Sequence, residues 1–166
     1  MTTYLTTVES PLGPLTLRSD GTHLTGLFLP VRPAGPPPEG EPDADAAPFP
    51  ALVRQLAEYF AGERTAFDVP LAAAGTPFQQ RVWSALRTIP YGTTVSYRDI
   101  AVAIDNPNAV RAVGLANGRN PIAIVVPCHR VVGSDGSLTG YGGGLAAKQQ
   151  LLDLETRSDR LFAHTG

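Results

Sequence analysis

Residues 96–116 read SYRDIAVAIDNPNAVRAVGLA, a pattern of two short helices around a tight turn. Ser96 suits the N-cap of a first helix over 97–104, because its hydroxyl can accept a hydrogen bond from a free amide of the first turn. A turn over 105–108 leads to a second helix over about 109–116 that is rich in small residues. Such a pair is typical of a helix-turn-helix, but many helical hairpins bind nothing.

The only cysteine of the chain lies shortly after this hairpin, in Pro127-Cys128-His129-Arg130. The apolar, mostly β-branched residues 121–127 predict a buried strand that ends at the thiol. A thiol is a strong nucleophile only as the thiolate, and a neighbouring base such as His129 is the usual way to form one. A lone cysteine is also often a small buried hydrophobic residue, so both interpretations stay open at this point.

Bulk composition limits the class of protein. With 166 residues, 43% of them hydrophobic, the chain can form one large or two small domains with a real core. One cysteine excludes an internal disulfide and an all-cysteine zinc site, and it fits a reducing compartment. Because the start of the chain lacks a signal-peptide pattern and no apolar run is long enough to span a bilayer, we expect a cytoplasmic protein without a membrane partner.

Charge is distributed unevenly along the chain. The net charge is −2, but residues 1–74 carry four basic and nine acidic side chains, whereas residues 75–166 carry nine basic and six acidic ones. This modest basic excess on the second half suits contact with a polyanion.

The first 74 residues predict a small antiparallel sheet with one helix. The predicted strands are 4–9, 15–18 and 24–29. Residues 30–50 include eight prolines and predict an extended, mobile loop. A helix over 51–60 follows, and Gly75 marks the boundary of a second domain over 75–166.

Further elements of the second half flank the hairpin and the cysteine. Thr76 and Pro77 open a helix that closes before Pro90, with Thr76 as N-cap and Pro77 in the first turn. The glycine-rich segment 139–144 lets the backbone approach another molecule closely, but it lacks the ending of a phosphate-binding loop. A last helix is predicted over 145–154, followed by a frayed tail.

Several motifs of the second half stand in the order found in one family. Over roughly residues 75–155 the chain resembles the O6-alkylguanine-DNA alkyltransferases, while the N-terminal third matches only loosely. The resemblance implies an α+β fold, with a small N-terminal ribonuclease H-like antiparallel sheet and helix, and a C-terminal, mainly helical domain of the winged helix-turn-helix type. The motifs are Gly75-Thr76-Pro77-Phe78-Gln79, Val82-Trp83, Ile89-Pro90-Tyr91-Gly92, Ser96-Tyr97, Arg111-Ala112-Val113-Gly114, Asn120-Pro121, Pro127-Cys128-His129-Arg130-Val131 and Gly140-Tyr141-Gly142-Gly143-Gly144-Leu145.

The resemblance also implies an activity, direct-reversal DNA repair. Such a protein flips O6-alkylguanine out of duplex DNA and transfers the alkyl group irreversibly to a cysteine of its own, so each molecule acts once. This is the reaction of a methylated-DNA–protein-cysteine S-methyltransferase. The implied partner is double-stranded DNA containing O6-alkylguanine, with no metal and no soluble cofactor. A monomer in solution is expected, and cooperative assembly along DNA is left open.

By resemblance, individual side chains have expected roles. Cys128 is the nucleophile, His129 is its base, directly or through a water, and Glu155 is the carboxylate that orients the histidine. Arg111 fills the gap in the duplex, and Tyr97 crowds the DNA backbone and hydrogen-bonds the flipped purine. The other expected site residues are Asn120, which braces the active-site turn; Ala112, Gly114, Ala116 and Arg119, along the DNA; Val131, Tyr141, Gly142 and Gly143, around the guanine; and Arg130, as a structural ion-pair partner.

Three other functions remain open from the sequence. An alkyltransferase-like protein would bind alkylated DNA without transfer, but such proteins lack the cysteine. A hydrolase that uses Cys128 and His129 would turn over a soluble ester or peptide, and it needs an oxyanion hole that the sequence does not place. A DNA-binding regulator would show sequence preference and would tolerate loss of the thiol.

Overall fold

The computed structural model describes residues 2–31, 36–138, 141 and 144–165, with side chains up to residue 157. The chain forms two compact units. The first contains residues 1–74 and 121–125, and the second contains residues 75–120 and 126–166. The sequence-based division gave everything after residue 74 to one domain, so the difference is the five-residue segment 121–125.

The first unit contains a sheet of four strands, β1 (Tyr4–Val8), β2 (Leu15–Ser19), β3 (Leu24–Phe28) and β4 (Glu41–Pro42). In the order β3-β2-β1-β4, β2 is antiparallel to both of its neighbours and β4 is parallel to β1. Side chains alternate along β2, so Leu15 and Leu17 are buried while Thr16 and Arg18 are partly exposed. The sequence did not predict β4, because two residues that include a proline carry no strand signal.

The proline-rich segment is more regular than the sequence predicted. β4 lies within it, and helix α1 (Phe49–Phe60) begins before its end. Pro50 occupies the first turn of α1, where the missing amide has no intrahelical partner to lose. The buried face of α1 carries Phe49, Leu52, Gln55, Leu56 and Tyr59. The part of the predicted mobile loop at residues 32–35 lies outside the described residues.

The segment 121–125 joins the edge of β3. Leu27 donates its amide to the carbonyl of Pro121 at 2.9 Å and accepts a hydrogen bond from the amide of Ala123 at 3.2 Å. Ile122 is fully buried opposite Leu27. The segment 121–125 thus forms a short β-bridge with the first unit, immediately before the chain reaches the cysteine.

The predicted strand over 121–127 is wrong beyond this bridge. Ile124 has a φ of 71°, in the left-handed region that β-branched residues rarely adopt, and the chain then forms a 3-10 helix over Cys128–Arg130. Buried Ile and Val residues favour strands, but an apolar run without alternation does not distinguish a strand from other buried backbone. The cysteine is therefore on a helical turn and not at the end of a strand.

The second unit contains the helices α2 (Pro77–Leu86), α3 (Tyr97–Ala103) and α4 (Val110–Gly118). The predicted N-caps Thr76 and Ser96 each form a capping box. The cap hydroxyl accepts from the amide of the residue three positions later, Gln79 or Asp99, and that residue's side chain returns a hydrogen bond to the cap amide. Local cap chemistry thus starts both helices where the sequence predicts.

A buried tryptophan joins α2 to α4. The indole N–H of Trp83 donates to the carbonyl of Ala116 at 2.9 Å. Gly75 lies against the same ring, because a Cβ at this position would be 2.5 Å from two of its atoms. A glycine is required at position 75 by this close approach.

A small parallel sheet and a long helix complete the second unit. β5 (Val95–Ser96) pairs with β6 (Val131–Val132), and helix α5 spans Leu145–Thr165. The predicted end of the last helix at residue 154 is wrong, since no glycine or proline occurs between 145 and 165 to stop it. None of the helices in the described ranges combines the length and the apolar composition that crossing a bilayer requires.

Helix α3 ends in a Schellman motif. The amide of Asn106 donates to the carbonyl of Ala101 at 2.9 Å, and the amide of Asp105 donates to the carbonyl of Val102 at 3.0 Å. Asp105 has a φ of 61°, which glycine adopts freely and most other residues adopt at a cost of about 1 kcal/mol. Its carboxylate also lies at the negative end of the helix dipole.

We expect Asp105→Gly to raise the free energy of unfolding by roughly 0.5 kcal/mol, because backbone strain and an unfavourable charge are both removed. Urea unfolding followed by the fluorescence of Trp83, the only tryptophan, measures this change. Asn106→Gly is the matched control. Its φ is not in the left-handed region, so glycine there is expected to lower stability. Equal effects of the two changes would contradict the strain argument.

Candidate active site

Cys128 is the first residue of the 3-10 helix and is only 5% exposed. Its amide donates to the carbonyl of Val126 at 2.8 Å. Burial raises the pKa of the thiol, because a thiolate is poorly solvated there. A hydrogen bond from Asn120 and the positive charge of Lys148 act in the opposite direction. Formation of the thiolate therefore depends on its immediate neighbours.

The imidazole of His129 is completely buried and has one fixed partner. Its Nε2 lies 2.6 Å from Oε2 of Glu155. Burial favours the neutral imidazole and lowers the pKa of His129, although Glu155 acts in the opposite direction. A neutral ring beside a carboxylate places its proton on Nε2, which leaves Nδ1 as a lone-pair acceptor. Nδ1 has no hydrogen-bond partner among the described residues.

The carboxylate of Glu155 also pairs with Arg130. Arg130 Nε donates to Oε1 at 2.7 Å and Nη2 donates to Oε2 at 3.0 Å, so the contact is bidentate. Nη1 donates to the carbonyl of Ile89 at 2.8 Å, and the guanidinium lies 5.6 Å from the ring centre of Tyr91. Arg130 thus serves as a buried ion-pair partner of Glu155.

The charges of this cluster are set by its contacts. Burial alone would raise the pKa of Glu155, but the hydrogen bonds and charges of His129 and Arg130 lower it to about 2. Glu155 is therefore ionised at neutral pH, neutralises Arg130 and accepts the Nε2 proton of His129. The arrangement holds an imidazole in one tautomer beside a cysteine, which is the geometry of a base whose orientation is fixed by a carboxylate.

Lys148 is a site residue that the sequence analysis missed. It is the only lysine of the chain, and it is completely buried. Its Nζ donates to the carbonyl of Val131 at 2.7 Å. It lies 6.0 Å from the ring centre of Tyr141. Burial lowers the pKa of Lys148, and the charge of Cys128 opposes that shift. The available signal was its spacing on α5, since it is on the buried stripe with Leu151 and Glu155.

Two asparagines hold the backbone of the active-site turn. Asn120 donates its Nδ2 to the carbonyl of Val126 at 2.8 Å. Asn117, which the sequence analysis did not assign, donates its Nδ2 to the carbonyl of Cys128 at 3.4 Å and is buried on α4. Its position four residues after the buried Val113 was the available signal.

The residues expected along DNA form a separate exposed surface. Arg111, Ala112 and Arg119 are exposed on α4 or at its C-cap. Tyr97 and Gly114 are brought together, because a Cβ at Gly114 would be 3.9 Å from the tyrosine ring. The placement of Ala116 with this group is wrong. Ala116 is buried on α4, where its carbonyl accepts from the tryptophan of α2.

The residues expected around guanine are described only in part. Val131 is fully buried in β6. Burial, followed by the charge of Cys128, raises the pKa of Tyr141 well above its ordinary value. The Tyr141 hydroxyl is buried and makes no hydrogen bond to a nitrogen or oxygen of the described residues. Gly142 and Gly143 lie outside the described residues. Within the described ranges, no three His, Cys, Asp or Glu side chains come together as metal ligands.

Both units of the chain match one protein family. The DNA-binding domain of 6-O-methylguanine DNA methyltransferase matches residues 77–157, and the ribonuclease-like domain of the same family matches residues 3–73. The chain belongs to this family, whose activity is DNA repair by transfer of an alkyl group to a cysteine of the protein itself.

Relatives with that activity in their names cover most of the chain. A Mycobacterium bovis protein named methylated-DNA–protein-cysteine methyltransferase is 56% identical over 149 residues, which make up 90% of each chain. The constitutive methylated-DNA–protein-cysteine methyltransferase of Bacillus subtilis is 48% identical over 156 residues, 92% of this chain and 94% of that protein.

Solved structures agree with the fold. The crystal structure of Mycobacterium tuberculosis OGT in complex with DNA is 55% identical and has a TM-score of 0.88, with 93% of this chain and 94% of that chain covered. An O6-methylguanine DNA methyltransferase from Methanococcus jannaschii is 26% identical with a TM-score of 0.65, over 91% of this chain and 93% of that chain. The expected α+β fold class, family and methyltransferase activity are confirmed.

We expect Lys148→Met to shift the alkylation of Cys128 to higher pH. The ammonium group favours the thiolate, so its removal raises the pKa of the thiol, and the rate of reaction with iodoacetamide reaches its midpoint at a higher pH. Mass spectrometry reads the modification directly, because the chain has one cysteine.

Arg157→Met is the control for this change. It removes an exposed cation from the same helix and is expected to leave the pH midpoint of alkylation unchanged. A midpoint that stays in place in Lys148→Met, or moves equally in both variants, would contradict a specific charge effect on the sulfur.

Proposed function

We propose that this protein removes alkyl groups from the O6 atom of guanine in duplex DNA and keeps each group on Cys128. Transfer to a cysteine is the activity of the family, and the chain has only one cysteine. The observation that carries the proposal is the adjacent His129, whose Nε2 is held by Glu155 while Nδ1 is left as an acceptor. Because the product is a thioether, each molecule acts once.

The proton and electron pairs can be followed through the reaction. The thiol proton of Cys128 passes to Nδ1 of His129, directly or through a water, and the imidazolium is stabilised by Glu155. The sulfur then bonds to the alkyl carbon as the carbon–O6 bond breaks, and the bonding pair stays on the purine. Tyr97, hydrogen-bonded to N3 of the base, supports this charge until a proton from solvent completes guanine.

Polar and charged groups near the sulfur offset part of the cost of burying a thiolate. Lys148 contributes positive charge, and Asn120 donates a hydrogen bond that favours the thiolate. The buried hydroxyl of Tyr141 hydrogen-bonds the sulfur and also favours the thiolate. We assign Val131, Gly142 and Gly143 to the walls around the guanine.

DNA is the partner of this protein, and we assign its contact to α3 and α4. A base inside the stack cannot reach a buried thiol, so the alkylated nucleotide must rotate out of the duplex, at a cost of a few kcal/mol. Arg111 is exposed on α4 and can occupy the space that the base leaves, since its planar guanidinium stacks and donates hydrogen bonds. Ala112, Gly114 and Arg119 would line the DNA backbone, and Tyr97 beside Gly114 would promote the rotation.

The proposed function also includes the roles of the two domains, the cofactor requirement and the state of the protein in the cell. Residues 75–166 carry the DNA-binding and alkyl-acceptor functions, with the first 74 residues as a separate domain. The transfer needs no metal or soluble cofactor, because nucleophile, base and carboxylate are side chains of the chain. We propose a cytoplasmic monomer that meets its substrate on DNA.

Incubation with an O6-methylguanine duplex is expected to add one methyl group to each protein molecule and to restore guanine. Intact mass and peptide mapping should place the methyl on Cys128, and a second equivalent of duplex should remain unrepaired. Cys128→Ala should bind the duplex and leave the methyl on the DNA.

Three outcomes would contradict this proposal. Binding without any mass change would indicate a damage-binding protein. Repeated turnover with an unmodified Cys128 would indicate a hydrolase. A regulator would be indicated if the wild type bound one DNA sequence tightly without methyl transfer and Cys128→Ala bound that sequence equally well.

We expect Arg111→Ala to lower the rate of transfer from duplex DNA by roughly tenfold or more, because loss of about 1.4 kcal/mol of support for the extruded state gives that factor. The rate with free O6-benzylguanine should change little, since a free base needs no extrusion. Both rates are measured by quenching and intact mass.

Arg87→Ala is the matched control, because it removes the same charge from the exposed C-cap of α2. It should leave both rates close to those of the wild type. If Arg111→Ala slowed the free base as much as the duplex, the residue would be acting on the active site and not on base extrusion.

A further inference from the structure

One apolar side chain on α4 has no role in the function proposed above. Leu115 is 65% exposed, more than any other large hydrophobic residue in the described part of the chain. A single exposed leucine is ordinary on a protein surface, so its surroundings decide whether it has a function.

Leu115 lies between two arginines on the exposed side of α4. Arg111 comes four residues before it, and Arg119 at the C-cap comes four residues after it. Residues four apart lie on the same face of a helix. The other neighbours of Leu115 on that side, Ala112 and Gly118, are small, and a Cβ at Gly118 would meet nothing within 4 Å. Leu115 thus projects from a low surface that is flanked by positive charge.

We propose that Leu115 packs against the deoxyribose wall of the DNA groove and holds α4 at the depth where Arg111 can enter the duplex. This proposal rests on the proposed function, since it assigns a further contact to the same DNA. Leu115 touches DNA but not the reacting atoms, so it is a positioning residue.

The charges around Leu115 indicate which kind of molecule it contacts. Arginines on both sides attract a polyanion, and the sugar rings between two phosphates offer the apolar surface that a leucine can cover. A symmetric contact between two copies of this face would bring the arginines of one copy towards those of the other, and like charges oppose such a contact. DNA is therefore the better match.

A leucine also suits a protein that must act at any sequence. It makes no hydrogen bond to base edges, so its contact with sugars does not depend on the bases. Proteins that bend or unstack DNA through the minor groove commonly use leucine and other apolar side chains in this way.

Leu115→Ala is expected to weaken binding to an O6-methylguanine duplex and to slow methyl transfer from it, both by roughly five- to tenfold, because less apolar surface leaves water on binding. The dependence of binding on salt should not change, since no phosphate contact is lost. In Arg119→Ala, by contrast, the slope of log binding constant against log salt should fall by about one.

Three further variants make the test specific. Leu115→Met keeps an apolar side chain of similar volume and should restore binding to within about twofold of the wild type. Leu115→Asn is similar in size but polar, and it should bind as poorly as the alanine variant. Val31→Ala truncates another exposed apolar residue, 60% exposed and outside α3 and α4, and should behave as the wild type. None of these changes should alter the rate with free O6-benzylguanine.

Several results would overturn the role of Leu115. One is that Leu115→Ala binds the duplex as tightly as the wild type. Another is that the salt slope of Leu115→Ala falls as it does in Arg119→Ala. A third is that Leu115→Ala slows the reaction with the free base as much as the reaction with the duplex. A change in sedimentation with intact DNA binding would instead show that Leu115 contacts a second copy. Failure of the wild type to methylate Cys128 would refute the proposed function separately, because binding to undamaged duplex still measures the Leu115 contact.

Discussion

The buried carboxylate of Glu155 is the group on which the rest of the site depends. It accepts two hydrogen bonds from Arg130 and one from His129, so helix α5 and the 3-10 helix are joined through a single charge. Loss of one partner would leave another charge buried without compensation, which is strongly destabilising. The same contacts fix the tautomer of His129. Stability and chemistry therefore share one set of hydrogen bonds.

The turn that carries the cysteine shows how buried irregular backbone is satisfied. Carbonyls that belong to no sheet still need donors when water is excluded. Asn120 donates to the carbonyl of Val126, and Asn117 donates to that of Cys128. Side chains thus replace a neighbouring strand. This arrangement lets the chain present its sulfur on a helical turn while the backbone around it stays fully packed.

The sequence predicted the parts of the structure that depend on local chemistry. Thr76 and Ser96 start their helices because cap and backbone are only three residues apart. The segment 121–127 misled the prediction, since buried Ile and Val favour a strand but the path of the chain is set by tertiary packing. Ala116 was misplaced because a small residue gives no sign of which helix face it occupies. Lys148 was missed because its partners are far away in sequence, and Glu155 was placed only by resemblance.

Ile124 combines two requirements that few residues meet together. Its side chain is buried, which favours a large aliphatic group, while its φ of 71° favours glycine. Glycine would relax the backbone and leave a void, and any other aliphatic residue would keep the conformational penalty. For protein engineering, this means that a saturation library at this one position contains no substitute that improves both properties. Redesign of the segment has to vary its neighbours at the same time.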